Sequence, residues 1–152
     1  METRRSVFVV ATANNVTDLP PELLRKGRWD ELFAVDLPST VERAAIFRIH
    51  LAARGRPVEL GAAAEVLAAT EGFTGAEIEA VVNEALYAAF DAGARELAVG
   101  DLLEAARATV PLSRTAAEQV QAIRDWAKGR ARFASVSEPV AVPGATVVRK
   151  LA

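Results

Sequence analysis

Val7-Phe8-Val9-Val10-Ala11-Thr12-Ala13-Asn14-Asn15, followed at 23–31 by Leu23-Leu24-Arg25-Lys26-Gly27-Arg28-Trp29-Asp30-Glu31, reads as a strand that delivers a polar residue at its tip and then a short turn. The run Ser6–Ala11 is short, continuous and rich in valine, which favours a strand covered on both faces. Asn14, Asn15 and Asp18 break that pattern. Pro20 and Pro21 suit the entry to a short helix through Leu24 and Arg25, and Gly27 ends it. Arg25 and Arg28 thus lie three residues apart on one turn. Two forked, permanently charged guanidinium groups in that arrangement suit the sensing and stabilising of a phosphate. No GxxxxGK(S/T) loop occurs in the sequence, so nothing in it cradles nucleotide phosphates in the usual way.

Glu31–Leu37 is a second strand candidate, closed by Pro38. Ser39 and Glu42 have the spacing of a capping box, and a helix over 40–54 follows, with Ala45, Ile46, Ile49, Ala52 and Ala53 expected on its apolar face. Gly55 and Pro57 stop it. A further helix is expected over Ala62–Thr70, separated by Gly72 from another. That one opens on a second capping box, Thr74 and Glu77, and carries Ile78, Val81, Val82, Ala85, Leu86, Ala89 and Phe90 in helical register up to Gly93. Leu97–Val99 reads as an extended link, Asp101 as the cap of a helix over 102–109 ended by Pro111, and Thr115–Gly129 as the last helix, with Val120, Ile123 and Trp126 apolar. From Arg130 the helical period is lost, and a disordered or loosely strand-like tail is expected. The fold class is therefore an α/β fragment followed by an all-α bundle: 1–57 with the strands, 58–129 helical, 130–152 a tail. A strand buried on both faces needs neighbours on both edges, and this chain holds too few strands for such a sheet. It is expected to be a piece of a larger α/β domain or to find its missing strands in another molecule.

Composition narrows the class. Just over half of the 152 residues are hydrophobic, enough for a real core, and alanine supplies much of that share. A net charge of −2 implies no strong pull on nucleic acid. There is no cysteine, which excludes disulfides and thiolate metal sites, and no apolar run approaches the roughly 20 residues that span a bilayer. The first residues, Met1–Ser6, lack a secretory apolar stretch, so a cytoplasmic protein is the default expectation and no membrane partner is indicated.

Four motifs in order resemble the AAA ATPase family in its region of second homology and its lid. Ala11-Thr12-Ala13-Asn14 resembles the sensor-1 strand, Arg25-Lys26-Gly27-Arg28-Trp29-Asp30 the trans-acting arginine motif, Ile46-Phe47-Arg48-Ile49-His50 the start of the lid linker, and Gly72–Ala85 the lid helix. The resemblance runs from about Val7 to Ala106; the continuation Thr109–Ser113 and Ile123–Ala127 is similar to a bacterial and plastid group within the family. Lys26 and Trp29 depart from the usual proline and phenylalanine without removing a needed group. The phosphate loop and the Asp-Glu pair that serves magnesium would precede Met1, and Asp30-Glu31, which follows a turn, is no substitute. The expected architecture is accordingly the last strands of a parallel P-loop-type sheet plus a helical lid.

The resemblance implies that Asn14 orients the attacking water or touches the γ-phosphate, and that Arg25 and Arg28 stabilise the charge left on the transferring phosphoryl group of an adjacent subunit's ATP. It implies that His50 lies against ribose or adenine, although a lone histidine beside an apolar helix face is commonly structural. Gly75 and Ala76, small residues at a helix N-terminus, would let the backbone approach the base; Thr74 capping alone explains them equally well. No arginine holds the sensor-2 position, as in family members that lack it. No metal site can be built from His50 without partners. Arg130, Arg132, Arg149 and Lys150 make no dense basic patch.

The leading expectation is thus the C-terminal portion of a AAA ATPase. With ATP and magnesium bound in the full-length protein, it would act in a ring of like subunits, often six, to remodel a macromolecule, most simply a protein. The chain alone is not expected to hydrolyse ATP or bind it tightly. Two rivals remain. One is a naturally truncated, non-catalytic assembly or regulatory module, distinguished by the reading frame upstream of Met1; the other is a helical interaction domain whose motifs are relics.

Overall fold

The computed structural model describes residues 7–16, 18–25, 27–56 and 63–135. Ser6, Lys26, Pro57, Val58, Ala62 and the tail beyond Ser135, including Arg149 and Lys150, lie outside them. The described elements are a 3-10 turn at Pro21–Leu24, strand β1 (Phe33–Ala34), helices α1 (Thr40–Ala53), α2 (Ala64–Ala69), α3 (Gly75–Asp91), α4 (Val99–Ala108), α5 (Leu112–Thr115) and α6 (Ala117–Ala127), and strand β2 (Arg132–Phe133). The result is a short α/β piece followed by a helical bundle.

Both capping boxes form. The Ser39 hydroxyl accepts from the Glu42 N–H while Glu42 accepts from the Ser39 N–H. Thr74 and Glu77 do the same at the head of α3. Each box satisfies two of the four N–H groups that a helix start leaves orphaned. At the other end of α3, Gly93 takes φ +90°, a left-handed conformation that glycine adopts without penalty.

The core lies among α1 to α4. Phe47 and Leu51 of α1, Val66 of α2, and Phe73 just ahead of α3 are shut away from solvent, together with Ile78, Val81, Val82 and Ala85 of α3 and Leu102 of α4. Each large side chain so buried contributes about 1.5–3 kcal/mol. The face of α1 differs from the sequence expectation. Arg43, Phe47 and Leu51 point inward at intervals of four, whereas Ile49 is 62% exposed and Ala52 and Ala53 face solvent. Alanines fit either face, and an apolar pattern passes over the buried arginine. In α3 the register holds for Ile78 through Ala89, but Phe90 is exposed.

The strands depart further. Residues 7–11 form no strand, and their side chains are exposed, Phe8 by 92%. A strand exists only through its ladder, and among the described residues nothing pairs with this one. The second strand shrinks from 31–37 to Phe33–Ala34. Its partner comes from the region expected to be tail: β2 runs parallel to β1, with Phe33 opposite Arg132 and Ala34 opposite Phe133. The Arg132 N–H donates to the Leu32 carbonyl, and the Ala134 N–H to the Ala34 carbonyl, both at 2.9 Å. Helix α4 starts at Val99, ahead of the expected 102, because Asp101 caps from inside the first turn, its carboxylate reaching back 2.8 Å to the Ala98 N–H. The expected Thr115–Gly129 helix forms as α6, Ala117–Ala127, and a further short helix, α5, precedes it across a break at Ala116. Along α6, Ala127 is the buried residue while Val120 and Trp126 are half-buried and Ile123 exposed.

Candidate functional site

The candidate site residues fall into two groups. Ile46, His50, Gly75 and Ala76 belong to the bundle. Helices α1 and α3 run side by side so that a Cβ placed on Gly75 would lie 3.8 Å from the Ile46 Cδ1. His50 stands one helical turn beyond Ile46 on the same face. Thr74 and Glu77 engage each other, so the Gly75 and Ala76 N–H groups stand at the head of α3 without an intrahelical acceptor. Ala76 is exposed and Gly75 half-buried. These residues form the α1–α3 shelf: Ile46 lies against Gly75, and His50 stands one turn further along α1.

His50 is held from behind. Its Nδ1 lies 3.4 Å from the Arg54 Nη1 and 3.6 Å from the Glu79 Oε1. Arg54 also donates to the His50 carbonyl at 3.1 Å, the Glu79 carboxylate at 2.9 Å and the Asn83 side-chain oxygen at 2.9 Å. The Arg54 guanidinium, with His50 adding, holds the Glu79 carboxyl below the usual carboxylate range. This network ties α1 to α3 and engages Nδ1, leaving Nε2 as the imidazole atom available to a ligand. Sequence reasoning missed Ile46, Arg54, Glu79 and Asn83 as parts of the site. The signal was present: 46, 50 and 54 recur every four residues along α1, as 79 and 83 do along α3.

Asn14, Arg25 and Arg28 form the second group. Asn14 lies in the irregular segment and is exposed. Arg25 terminates the 3-10 turn, its N–H donating to the Glu22 carbonyl, and the Arg28 N–H donates to the Arg25 carbonyl at 3.3 Å. Both arginine side chains are exposed, on a turn closed by Gly27. Among the described residues no hydrogen bond or ion pair joins Asn14 to either arginine. The structure therefore assembles the shelf of the first group and leaves the second open to solvent. The phosphate-directed residues are not gathered around a common point.

Beside the shelf, an open cleft of about 280 Å³ lies between β1 and the residues after it, the head of α3, and α6. It is lined mostly by apolar side chains, with Asp36 and Arg124 at its edge. Among the described residues, no helix is long and apolar enough to cross a membrane.

Residues 58–104 match the AAA+ lid domain family. The chain is 44% identical over 137 residues to the "Uncharacterized AAA domain-containing protein ycf46" of Guillardia theta, covering 88% of this chain and 27% of that protein. It is 38% identical over 138 residues to the "ATP-dependent zinc metalloprotease FtsH 2" of Sphaerobacter thermophilus, covering 90% of this chain and 20% of that protein. To the "ATP-dependent zinc metalloprotease FtsH" of Thermus thermophilus it is 41% identical over 102 residues, 66% of this chain and 16% of the relative. The chain thus spans about a quarter of these relatives or less, and the zinc chemistry in the FtsH names belongs to those proteins. No solved structure matches the chain. Residues 58–104 are thus an AAA+ lid domain, and the relatives match the chain as the C-terminal part of an AAA ATPase.

Proposed function

We propose that this chain is the lid-bearing portion of an AAA ATPase that couples ATP binding and hydrolysis to the remodelling of a macromolecule. The observation that carries the reading is the approach of Ile46 to Gly75, with His50 one turn away and the head of α3 alongside. In this reading the base rests on Ile46, its acceptor edge meets the Gly75 and Ala76 N–H groups, and the His50 Nε2 meets the ribose. Arg25 and Arg28, exposed on their turn, reach the ATP of a neighbouring subunit, which requires a ring of like subunits. Two guanidinium forks there offset charge growing on the phosphoryl oxygens as the bond to the leaving group breaks. Asn14 orients water on its own side. Magnesium, where bound, offsets part of the phosphate charge. The lid carries the response: a ligand on the shelf biases the angle between the bundle and the strands, and that motion works on a protein substrate.

The test is turnover and nucleotide affinity of the longer protein carrying Arg25→Ala or Arg28→Ala. Loss of an arginine finger typically costs about 10³–10⁵ in turnover. We expect a fall on that order in at least one variant, with ATP affinity changed only a few-fold. Unchanged turnover in both variants would refute the reading. A second reading is a naturally truncated, non-catalytic assembly or regulatory module of a ring. An upstream reading frame continuous with Met1 and carrying GxxxxGK(S/T) would decide against it.

A further inference from the structure

We propose that residues 111–133 form a strap that sets the angle between the helical bundle and the strand piece, with the Asp36–Arg124 ion pair as its latch. At one end the strap grips the bundle. The Leu112 N–H donates to the Glu77 Oε1 at 2.6 Å, while the other Glu77 oxygen closes the α3 capping box. Ser113 packs into the space a side chain on Gly72 would need: a Cβ there would lie 2.5 Å from the Ser113 Oγ, at φ +78°. At its other end the strap grips the strand piece. The Arg124 Nε lies 2.9 Å from both Asp36 carboxylate oxygens, with its Nη2 2.9 Å from Oδ1. Six residues after Ala127, β2 completes the parallel pair with β1. Helix α6, 11 residues and about 16 Å long, carries the latch arginine and joins the grip on the bundle to β2.

Ahead of α1 the chain crosses from strand piece to bundle through Leu37–Ser39. Arg43 fastens the Pro38 carbonyl to α1 at 3.0 Å, so the free torsions lie at Asp36 and Leu37. Any rotation there moves Asp36 relative to Arg124 unless the strap travels with it. The bonds to Leu32, Ala34 and Asp36 precede this crossing, and the contacts with Gly72 and Glu77 follow it. The 280 Å³ cleft beneath α6 leaves that helix room to shift once the latch opens. The strap stands on these contacts alone; only its link to nucleotide-driven lid motion rests on the function proposed above.

The sequence has no cysteine, so two introduced cysteines are unique labelling sites. Glu31→Cys beside β1 and Glu84→Cys on α3 are exposed and outside the strap contacts. Spin-label distance measurements on the 152-residue chain, diluted in excess unlabelled chain and without nucleotide, should give one narrow distribution. Asp36→Asn and Arg124→Gln should each broaden it at least two-fold while leaving the helical circular dichroism unchanged. Arg132→Pro, which deletes the N–H donated to Leu32, should broaden it independently of the ion pair, and the exchange Asp36→Arg with Arg124→Asp should narrow it again. Unchanged distributions in both single latch variants would overturn the proposal. Because no ATP enters the measurement, this outcome is separate from the fate of the ATPase reading.

Discussion

At the scale of single residues, Asp101 shows how much one carboxylate organises. Its oxygens accept from Arg95 at 2.6 and 2.7 Å and from the Ala98 N–H at 2.8 Å, and its side chain is almost fully covered. The Arg95 guanidinium, aided by that N–H, pulls its pKa from 3.8 down to about 2. A depressed carboxylate stabilises the fold fully above its unfolded pKa and loses that contribution as pH falls through the folded one. The window is therefore pH 3.8 to about 2. A shift of this size corresponds to on the order of 2 kcal/mol, discounted toward about 1 because the guanidinium is partly in water. Asp101→Asn should lower unfolding free energy by about 1–2 kcal/mol at pH 7 in urea titrations, and the gap should close near pH 2. A gap that persists at the lowest pH would show that packing, and not charge, is responsible. The sequence marked Asp101 as a cap; its placement inside the first turn, and its arginine six residues upstream, came from the structure.

Elements were legible where their signals are local. The two Ser/Thr…Glu boxes announced α1 and α3 to within a residue, because capping is a contact between neighbours in sequence. Thr74→Ala should cost about 1 kcal/mol or somewhat more, since an Ncap loss of that kind is joined here by the loosening of Glu77, which also holds Leu112. Thermal unfolding of the variant measures it, and a loss below about 0.3 kcal/mol would contradict the shared role. Faces were less legible than boundaries. On α1 the choice between Ile49 and Phe47 as the inward residue turned on what α3 presents, which no local pattern contains. The residues proposed for the shelf were named in part from the sequence. Gly75, Ala76 and His50 came through resemblance, and the fourfold spacing of Ile46, His50 and Arg54 was there to be counted. The pairing of Asp36 with Arg124, 88 residues apart, carries no local mark at all.

At the scale of the molecule, the strands explain what the sequence overstated. Val7–Val10 carries the composition of a buried strand, yet composition gives only the demand for neighbours and not their supply. Four consecutive apolar side chains, 64% or more exposed, form an adhesive surface. The isolated chain should therefore elute as a dimer or larger species in size-exclusion chromatography with light scattering, and Phe8→Asp with Val10→Asp should shift it toward monomer. A parent chain monomeric at all concentrations would contradict this. One buried side chain bears on how the helices travel together. Arg43 sends Nη1 to the Pro38 carbonyl and Nη2 to the Leu67 carbonyl, each at 3.0 Å, so a single planar fork spans the entry to α1 and the end of α2. Torque arriving from the strands is shared between two helices by one guanidinium. In the lid motion proposed above, the bundle would then swing as a solid lever arm, its fulcrum just ahead of the proline.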